Sequence, residues 1–342
     1  MKNEFIRNRE VAWKVFDVPV YGTVTEPKDN EMHPAVIFVA GSGPTDRNWC
    51  SPLLSGTNGS AKLLAEALAS QGFVTLRYDK LASGPHIKEN ISKLVGKMSM
   101  HSHMKELAGA VETILAEKTV DKDKLFVLTN SEGAVHAVNY QLQAKSNRFK
   151  GLVLTGAPGR AVGDVARSQI FDQVKHLPNT ETSMKIYDGA ITDFLANKPI
   201  PEDATLPELM KQILLGLRNP ANLPFARELW AFSLPEHLAK MDDPTLVVIG
   251  KKDIQVNWKI DGRELEKATA KKTDASFVYP ENANHVLKHE VKPLEEITVQ
   301  YAALNYNAPN AELDREAADA IFKWLKKQAI KLCNIKLFGK QK

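Results

Sequence analysis

Leu125-Phe126-Val127-Leu128-Thr129-Asn130-Ser131-Glu132-Gly133 is an apolar run that ends in a polar corner with a serine at its tip. Ala134, Val135, Ala137 and Val138 then continue at helical spacing, so the segment reads strand, turn, helix. Such a corner lifts the Ser131 hydroxyl above the edge of a sheet, where a base can reach it. It also sets the Glu132 backbone N–H at a helix N-terminus, where negative charge develops during acyl transfer. The turn is tight and calls for small flanking residues. Gly133 meets that demand, whereas Thr129 stands where the common Gly-x-Ser-x-Gly pattern has glycine. A surface serine on an ordinary strand–helix turn looks the same locally, so the surrounding segments decide between the two.

Outward from the corner, short apolar runs alternate with helical patterns. Ala35–Ala40, Phe73–Tyr78, Gly151–Gly156 and Thr245–Gly250 read as buried strands, and Ser276–Pro280 as a weaker one. Ser60–Gln71, with Ser60 as cap, and Lys105–Lys118 read as helices. A third, Asn310–Lys327, puts Ala318, Ile321, Trp324 and Leu325 on one face. Val11–Thr25 reads as early antiparallel strands. Near-continuous apolar strands alternating with helices predict a mostly parallel sheet covered on both faces. The alternation breaks between Gly159 and Asp243, where amphipathic helices replace strands. The clearest carries Leu206, Leu209, Met210, Ile213, Leu214 and Leu217, with Thr205 and Glu208 as a capping box. The expected organisation is a core of residues 1–158 and 244–342, with residues 159–243 as an inserted helical cap.

Composition fits a globular protein: 342 residues, 43% hydrophobic and 25% charged. The N-terminus shows no secretory pattern and no stretch is apolar enough to span a membrane. Cys50 and Cys333 are too few for a disulfide framework, so a cytoplasmic setting is expected. Residues 323–342 hold seven lysines and no acid; subtracting them from the net charge of +4 leaves −3 for the remainder. The basic character is thus that of a tail, either a solvated helix end or a contact for a membrane surface or polyanion. No interleaving of basic and aromatic residues points to nucleic acid, and homo-oligomerisation is left open.

Three further strand ends carry chemistry. Ala35–Ala40 runs into Gly41-Ser42-Gly43-Pro44-Thr45-Asp46-Arg47. A glycine-rich turn there can aim backbone N–H groups into a site, and the Ser42 N–H is the natural second oxyanion donor beside that of Glu132. Thr245–Gly250 runs into Lys251-Lys252-Asp253, and Ser276–Pro280 into Glu281-Asn282-Ala283-Asn284-His285. The order Ser131, Asp253, His285 is that of a Ser…Asp…His triad at the carboxyl edge of a sheet.

On these residues the chain resembles the α/β-hydrolase superfamily, and more narrowly bacterial serine carboxylesterases with a Gly-Ser-Gly-Pro-Thr-Asp-Arg oxyanion loop. Residues 41–47 match that loop without a gap. Leu76-Arg77-Tyr78-Asp79-Lys80 resembles the family's next strand end, and the likeness extends from Val18 to Leu325. Thr129 and Leu81-Ala82 depart from the family pattern, the latter standing where it often has Arg-Gly; both bear on efficiency and specificity more than on reaction type. The resemblance implies an α/β-hydrolase fold with a helical cap.

The expected reaction is hydrolysis of a small carboxylic ester with short- to medium-chain acyl group, through an acyl-enzyme. Ser131 is the nucleophile, His285 the base and Asp253 its orienting acid, with the Ser42 and Glu132 N–H groups as oxyanion hole. Phe225, Leu229 and Trp230 are candidate pocket residues that serve equally well as packing. No cofactor or metal is expected: His285 and His289 lack the pattern of a metal helix, and His101-Ser102-His103 has no evident carboxylate partner. Cys50 reads as a bystander thiol. An exopeptidase or acyltransferase would use the same triad, with Arg47, Arg77 or Arg160 as candidates to receive a charged terminus. A non-catalytic binding protein on this scaffold would place no demand on the three triad residues together.

Overall fold

The computed structural model describes residues 4–339, without the side chains of residues 334–339. Lys340 and Lys342 of the basic tail lie outside the described residues. The chain begins β1 (Ile6–Val15), β2 (Val18–Pro27), β3 (His33–Val39), α1 (Ser60–Ala69), β4 (Val74–Tyr78), α2 (Ile87–Leu94), α3 (Met100–Leu115), β5 (Val120–Asn130), α4 (Gly133–Gln143) and β6 (Leu152–Thr155). Helices α5 (Val162–Val174), α6 (Thr180–Leu195), α7 (Glu208–Arg218), α8 (Phe225–Trp230) and α9 (Leu234–Leu238) follow without an intervening strand. The chain closes with β7 (Thr245–Val248), α10 (Arg263–Thr269), β8 (Ala275–Val278), α11 (Val299–Asn305) and α12 (Arg315–Gly339).

The eight strands form one sheet in the order β1-β2-β4-β3-β5-β6-β7-β8. β1 and β2 pair antiparallel, as do β2 and β4, and every pairing from β4 through β3 to β8 is parallel. Strand alternation divides the core in two. Ala35, Ile37 and Val39 of β3 join Leu125 and Val127 of β5 on the face covered by α3 and α4. Val36 and Phe38 of β3 join Phe126 and Leu128 of β5 on the opposite face, under α1 and α12. Both faces are dry, which is why these strands read as continuous apolar runs. From β3 the chain crosses through α1 to β4 on one side; from β5 it crosses through α4 to β6 on the other. The crevice beyond the carboxyl ends of β3 and β5 is therefore a topological switch point, the usual place for a site in such a sheet.

Several element ends differ from the sequence expectation. Helix α3 starts at Met100 rather than Lys105 because Ser99 and Ser102 cap each other reciprocally. Ser60 is not the cap of α1: Gly59 takes that position, and the Ser60 hydroxyl is drawn to the Val286 carbonyl. The Thr205–Glu208 box does not form either. Thr205 donates to Asp203 instead, and Pro207 caps α7. Between β6 and β7, side chains such as Ile170, Tyr187, Phe194 and Met210 form an apolar cluster of their own. Leu234 and Leu238 of α9 belong instead to the cluster on the sheet.

Gly133 shows how tightly the switch point is built. A methyl group there would press into the Val39 carbonyl oxygen and crowd that of Ala40, so the first turn of α4 sits directly on the end of β3. The Gly133→Ala variant should lose about 1–3 kcal/mol of stability by overpacking, read as a lower denaturant midpoint at unchanged slope.

Candidate active site

Ser131 has φ of +54°. That left-handed conformation is uncommon for a residue with a Cβ and is held only where the surroundings determine it. Here the Ser131 N–H donates to the Thr155 carbonyl of β6 at 2.8 Å, while α4 is pressed onto β3 through Gly133. Thr129 does not disturb the corner. It is a regular β5 residue whose hydroxyl donates to the Val153 carbonyl at 3.2 Å, and it accepts from Thr155 Oγ1 at 2.7 Å.

Asp253 and His285 meet directly, with His285 Nδ1 to Asp253 Oδ2 at 2.8 Å. A carboxylate only accepts, so Nδ1 carries the proton and Nε2 is left as the basic nitrogen. Asp253 is itself anchored by the Gln255 and Val256 N–H groups at 2.7 and 2.9 Å. The histidine loop is tied to the serine corner: Asn130 Nδ2 donates to the His285 carbonyl at 2.9 Å. At the end of β6, a Cβ on Gly156 would lie 3.0 Å from the His285 ring. Among the described residues the Ser131 hydroxyl has no hydrogen-bond partner, so its contact with His285 is not closed; such contacts commonly tighten only when substrate binds.

The Gly41–Arg47 loop lies against the same corner, where a Cβ on Gly41 would be 3.2 Å from Ser131 Cβ. The loop is clamped from the end of β4. Asp79 accepts the Arg47 backbone N–H at 2.8 Å and its Nε and Nη2 at 3.0 and 2.8 Å. Lys80 Nζ donates to the Gly41 carbonyl. Residues 41–47 and 76–80 are separate motifs along the chain; in space the second holds both ends of the first.

Behind the serine corner is a buried polar cluster that sequence reading missed. Glu132 Oε1 accepts from His136 Nε2 at 2.9 Å and lies 3.7 Å from Lys80 Nζ. Glu106 accepts from His103 Nδ1 and from the Leu81 N–H. The two imidazoles lie 4.4 Å apart, with the Phe225 ring at 4.5 Å from His103 and 5.9 Å from His136. The His101–His103 segment is the start of α3, as a solvated loop or helix start was expected, but His103 is buried and does have a carboxylate partner, Glu106, one helical turn on. The spacings Glu132–His136 and His103–Glu106 are the helical neighbour distances that could have flagged both pairs. Of the other candidates, Leu229 is buried in the sheet-side core, and Trp230 packs on α5 at Gly163. His289 pairs with Asp314, and no group of three potential metal ligands exists among the described residues. Burial, then Asp46, pushes the Cys50 thiol up to about 11, which disfavours its nucleophilic thiolate form at neutral pH.

Burial acts to raise the Glu132 carboxyl, but Lys80 and His136 overcome it and hold the group far below the usual carboxylate range. Burial, then His103, pushes His136 down to about 4 against the pull of Glu132. The second nitrogen of His136, Nδ1, is buried without a partner, so an added proton there would have no acceptor. The unfolded chain therefore takes up this proton first. His136 contributes stability in full above the ordinary imidazole value of 6.5, and that contribution is lost as pH falls toward 4. Thermal melts should show this loss in the wild type and a flatter profile in His136→Gln, whose amide can still donate to Glu132; equal slopes in the two would refute the assignment.

No family model matches the sequence. The chain is 23% identical over 308 residues to esterase EstD of Thermotoga maritima, covering 90% of this chain but only 65% of that protein. An esterase of Pyrococcus furiosus superposes with a TM-score of 0.54 at 15% identity, covering 94% of this chain and 91% of that one. The α/β hydrolase GrgF of Penicillium sp. superposes with a TM-score of 0.54 at 12% identity, covering 94% and 99%. Sheet order, switch point and both superpositions agree: the chain has the α/β-hydrolase fold.

Proposed function

We propose that this chain is a serine hydrolase that cleaves carboxylic esters through an acyl-enzyme. The observation that carries the reading is the left-handed Ser131 at the strand–helix corner, tied through Asn130 to a His285 already oriented by Asp253. Ser131 Oγ attacks the ester carbonyl as His285 Nε2 takes its proton. The Ser42 and Glu132 N–H groups receive the oxyanion. The tetrahedral intermediate collapses, and His285 returns the proton to the leaving alcohol. Water, deprotonated by the same imidazole, then releases the acid. Asp253 holds the tautomer and stabilises the imidazolium throughout. The similarity to a protein named an esterase supports the ester class.

The three arginines that could receive a peptide terminus are otherwise engaged, which favours ester over exopeptidase chemistry. Arg47 is held by Asp79 and Glu10, and Arg160 by Asp261 at 3.0 and 3.1 Å. Arg77 is buried, donates to Asn48 and is pushed down to about 10 by desolvation. Helices α5–α8 act as a cap over the site. Phe225 is the candidate acyl-pocket residue of this cap, its ring packed on His103 and His136, whereas Leu229 and Trp230 support the cap by packing.

Wild-type protein should hydrolyse p-nitrophenyl esters with an optimum at short to medium acyl length. Ser131→Ala should lose at least about 10⁴-fold in kcat, and Asp253→Asn about 10⁴-fold through the wrong His285 tautomer. Ester turnover that survives Ser131→Ala, or a matched amide cleaved faster than its ester, would refute the reading.

A further inference from the structure

Lys80 is 5% exposed, sits at the end of β4 and touches neither Ser131 nor His285 by hydrogen bond. Its two partners are what draw attention to it. The Gly41 carbonyl belongs to the same peptide unit that carries the Ser42 N–H. Glu132, the other partner, supplies the second candidate oxyanion donor from its own backbone. One buried ammonium thus grips both halves of the hole from behind.

We propose that Lys80 is the positioning residue of the oxyanion hole, orienting the Ser42 and Glu132 N–H groups toward one point; this rests on the serine-hydrolase reading above. The physical case has three parts. A peptide unit is planar and trans, so fixing the direction of the Gly41 C=O fixes the Ser42 N–H to point the opposite way. Gly43, at φ +69°, and the Thr45 hydroxyl, which donates to the Ser42 carbonyl at 2.7 Å, turn the rest of the loop but do not set that peptide. A cation on the carbonyl also polarises the peptide, strengthening its N–H as a donor in a dry site. Finally, the Glu132 carboxylate lies beside the place where a second negative charge develops. The Lys80 ammonium balances it, and the neutral His136 adds a hydrogen bond, so that the carboxylate does not oppose the oxyanion.

The surrounding network keeps Lys80 in place. Leu81, the next residue, donates its N–H to Glu106, and Glu106 holds His103 against His136, which returns through Glu132 to Lys80. The circuit closes on two consecutive residues, so the β4 end cannot drift without unpairing a buried charge.

The test compares wild type, Lys80→Met and Lys80→Met/Glu132→Gln, the last removing the cation and its buried counter-charge together. Folding is followed by thermal melts, and kcat and KM are measured on the p-nitrophenyl ester that wild type prefers. Affinity is measured for a trifluoromethyl ketone, which adds to Ser131 to give a tetrahedral oxyanion, and for the matching methyl ketone. In both folded variants kcat should fall about 10- to 100-fold with KM within about threefold. Trifluoromethyl ketone affinity should fall in parallel and methyl ketone affinity should hold. A folded double variant with kcat within about threefold of wild type, or a kcat loss without loss of trifluoromethyl ketone affinity, would overturn the proposal. So would failure of the double variant to fold, which would assign Lys80 to stability alone. Absence of Ser131-dependent turnover in the wild type is a different failure, that of the underlying reading, and is seen before any Lys80 variant is compared.

Discussion

Everything around the site depends on one backbone constraint: β5 must turn into α4 at a single left-handed residue while α4 starts in contact with β3. That conformation costs about 1–2 kcal/mol for a residue with a side chain, and contacts from the two adjacent strands and from the histidine loop hold it in place. β6 accepts the Ser131 N–H through Thr155, and β3 lies so close that only glycine fits at 133. The histidine loop leans on the same corner through Asn130 and Gly156. A serine side chain fixed this way points out of the sheet edge with the helix amides beside it. The corner therefore sets the direction of the proposed nucleophile and of one candidate oxyanion donor together.

The second organising feature is electrostatic. Lys80, His103, Glu106, Glu132 and His136 are all at most 5% exposed. A charge of either sign alone in that environment would be strongly unfavourable, and removing one member of a buried pair costs about 3–5 kcal/mol. Each of the two acids is instead partnered by a base, and the two imidazoles meet to close a circuit that returns to the Lys80–Leu81 segment. Such a network is a weak source of net stability but a strong source of geometric definition, because a shifted member leaves another unpaired. Asp79 and Lys80 extend that definition to the Gly41–Arg47 loop, gripping it at both ends. Phe225 carries it to the helices above, since the same two imidazoles support the Phe225 ring.

How legible each part was follows from the range of the interactions that made it. The sheet strands were readable because a parallel strand buried on both faces is apolar at every position, as in Val36–Val39. The Ser131 corner, the acid after β7 and the histidine after β8 were readable because strand ends carry site residues in chain order. Helix ends were less so. Ser60 and Thr205 look like caps, yet a tertiary contact with Val286 claims the Ser60 hydroxyl, and Asp203, two residues back, claims that of Thr205. For His103 the partner Glu106 was within helical spacing but passed over, and its contact with the His136 ring, thirty-three positions away, is not local at all.

The sequence by itself determined the alternation of strands and helices, the chemical types at each strand end and their order along the chain, all properties of local periodicity and spacing. It also contained the two loop motifs, but not their relation. Only the tertiary structure decided that Asp79 and Lys80 clamp the Gly41–Arg47 loop, and that Asn130 carries the histidine loop. The same holds for the pairing of the three candidate arginines with other side chains. Those are contacts between segments brought together by strand order, and strand order is set by packing across the whole sheet, which no local pattern encodes.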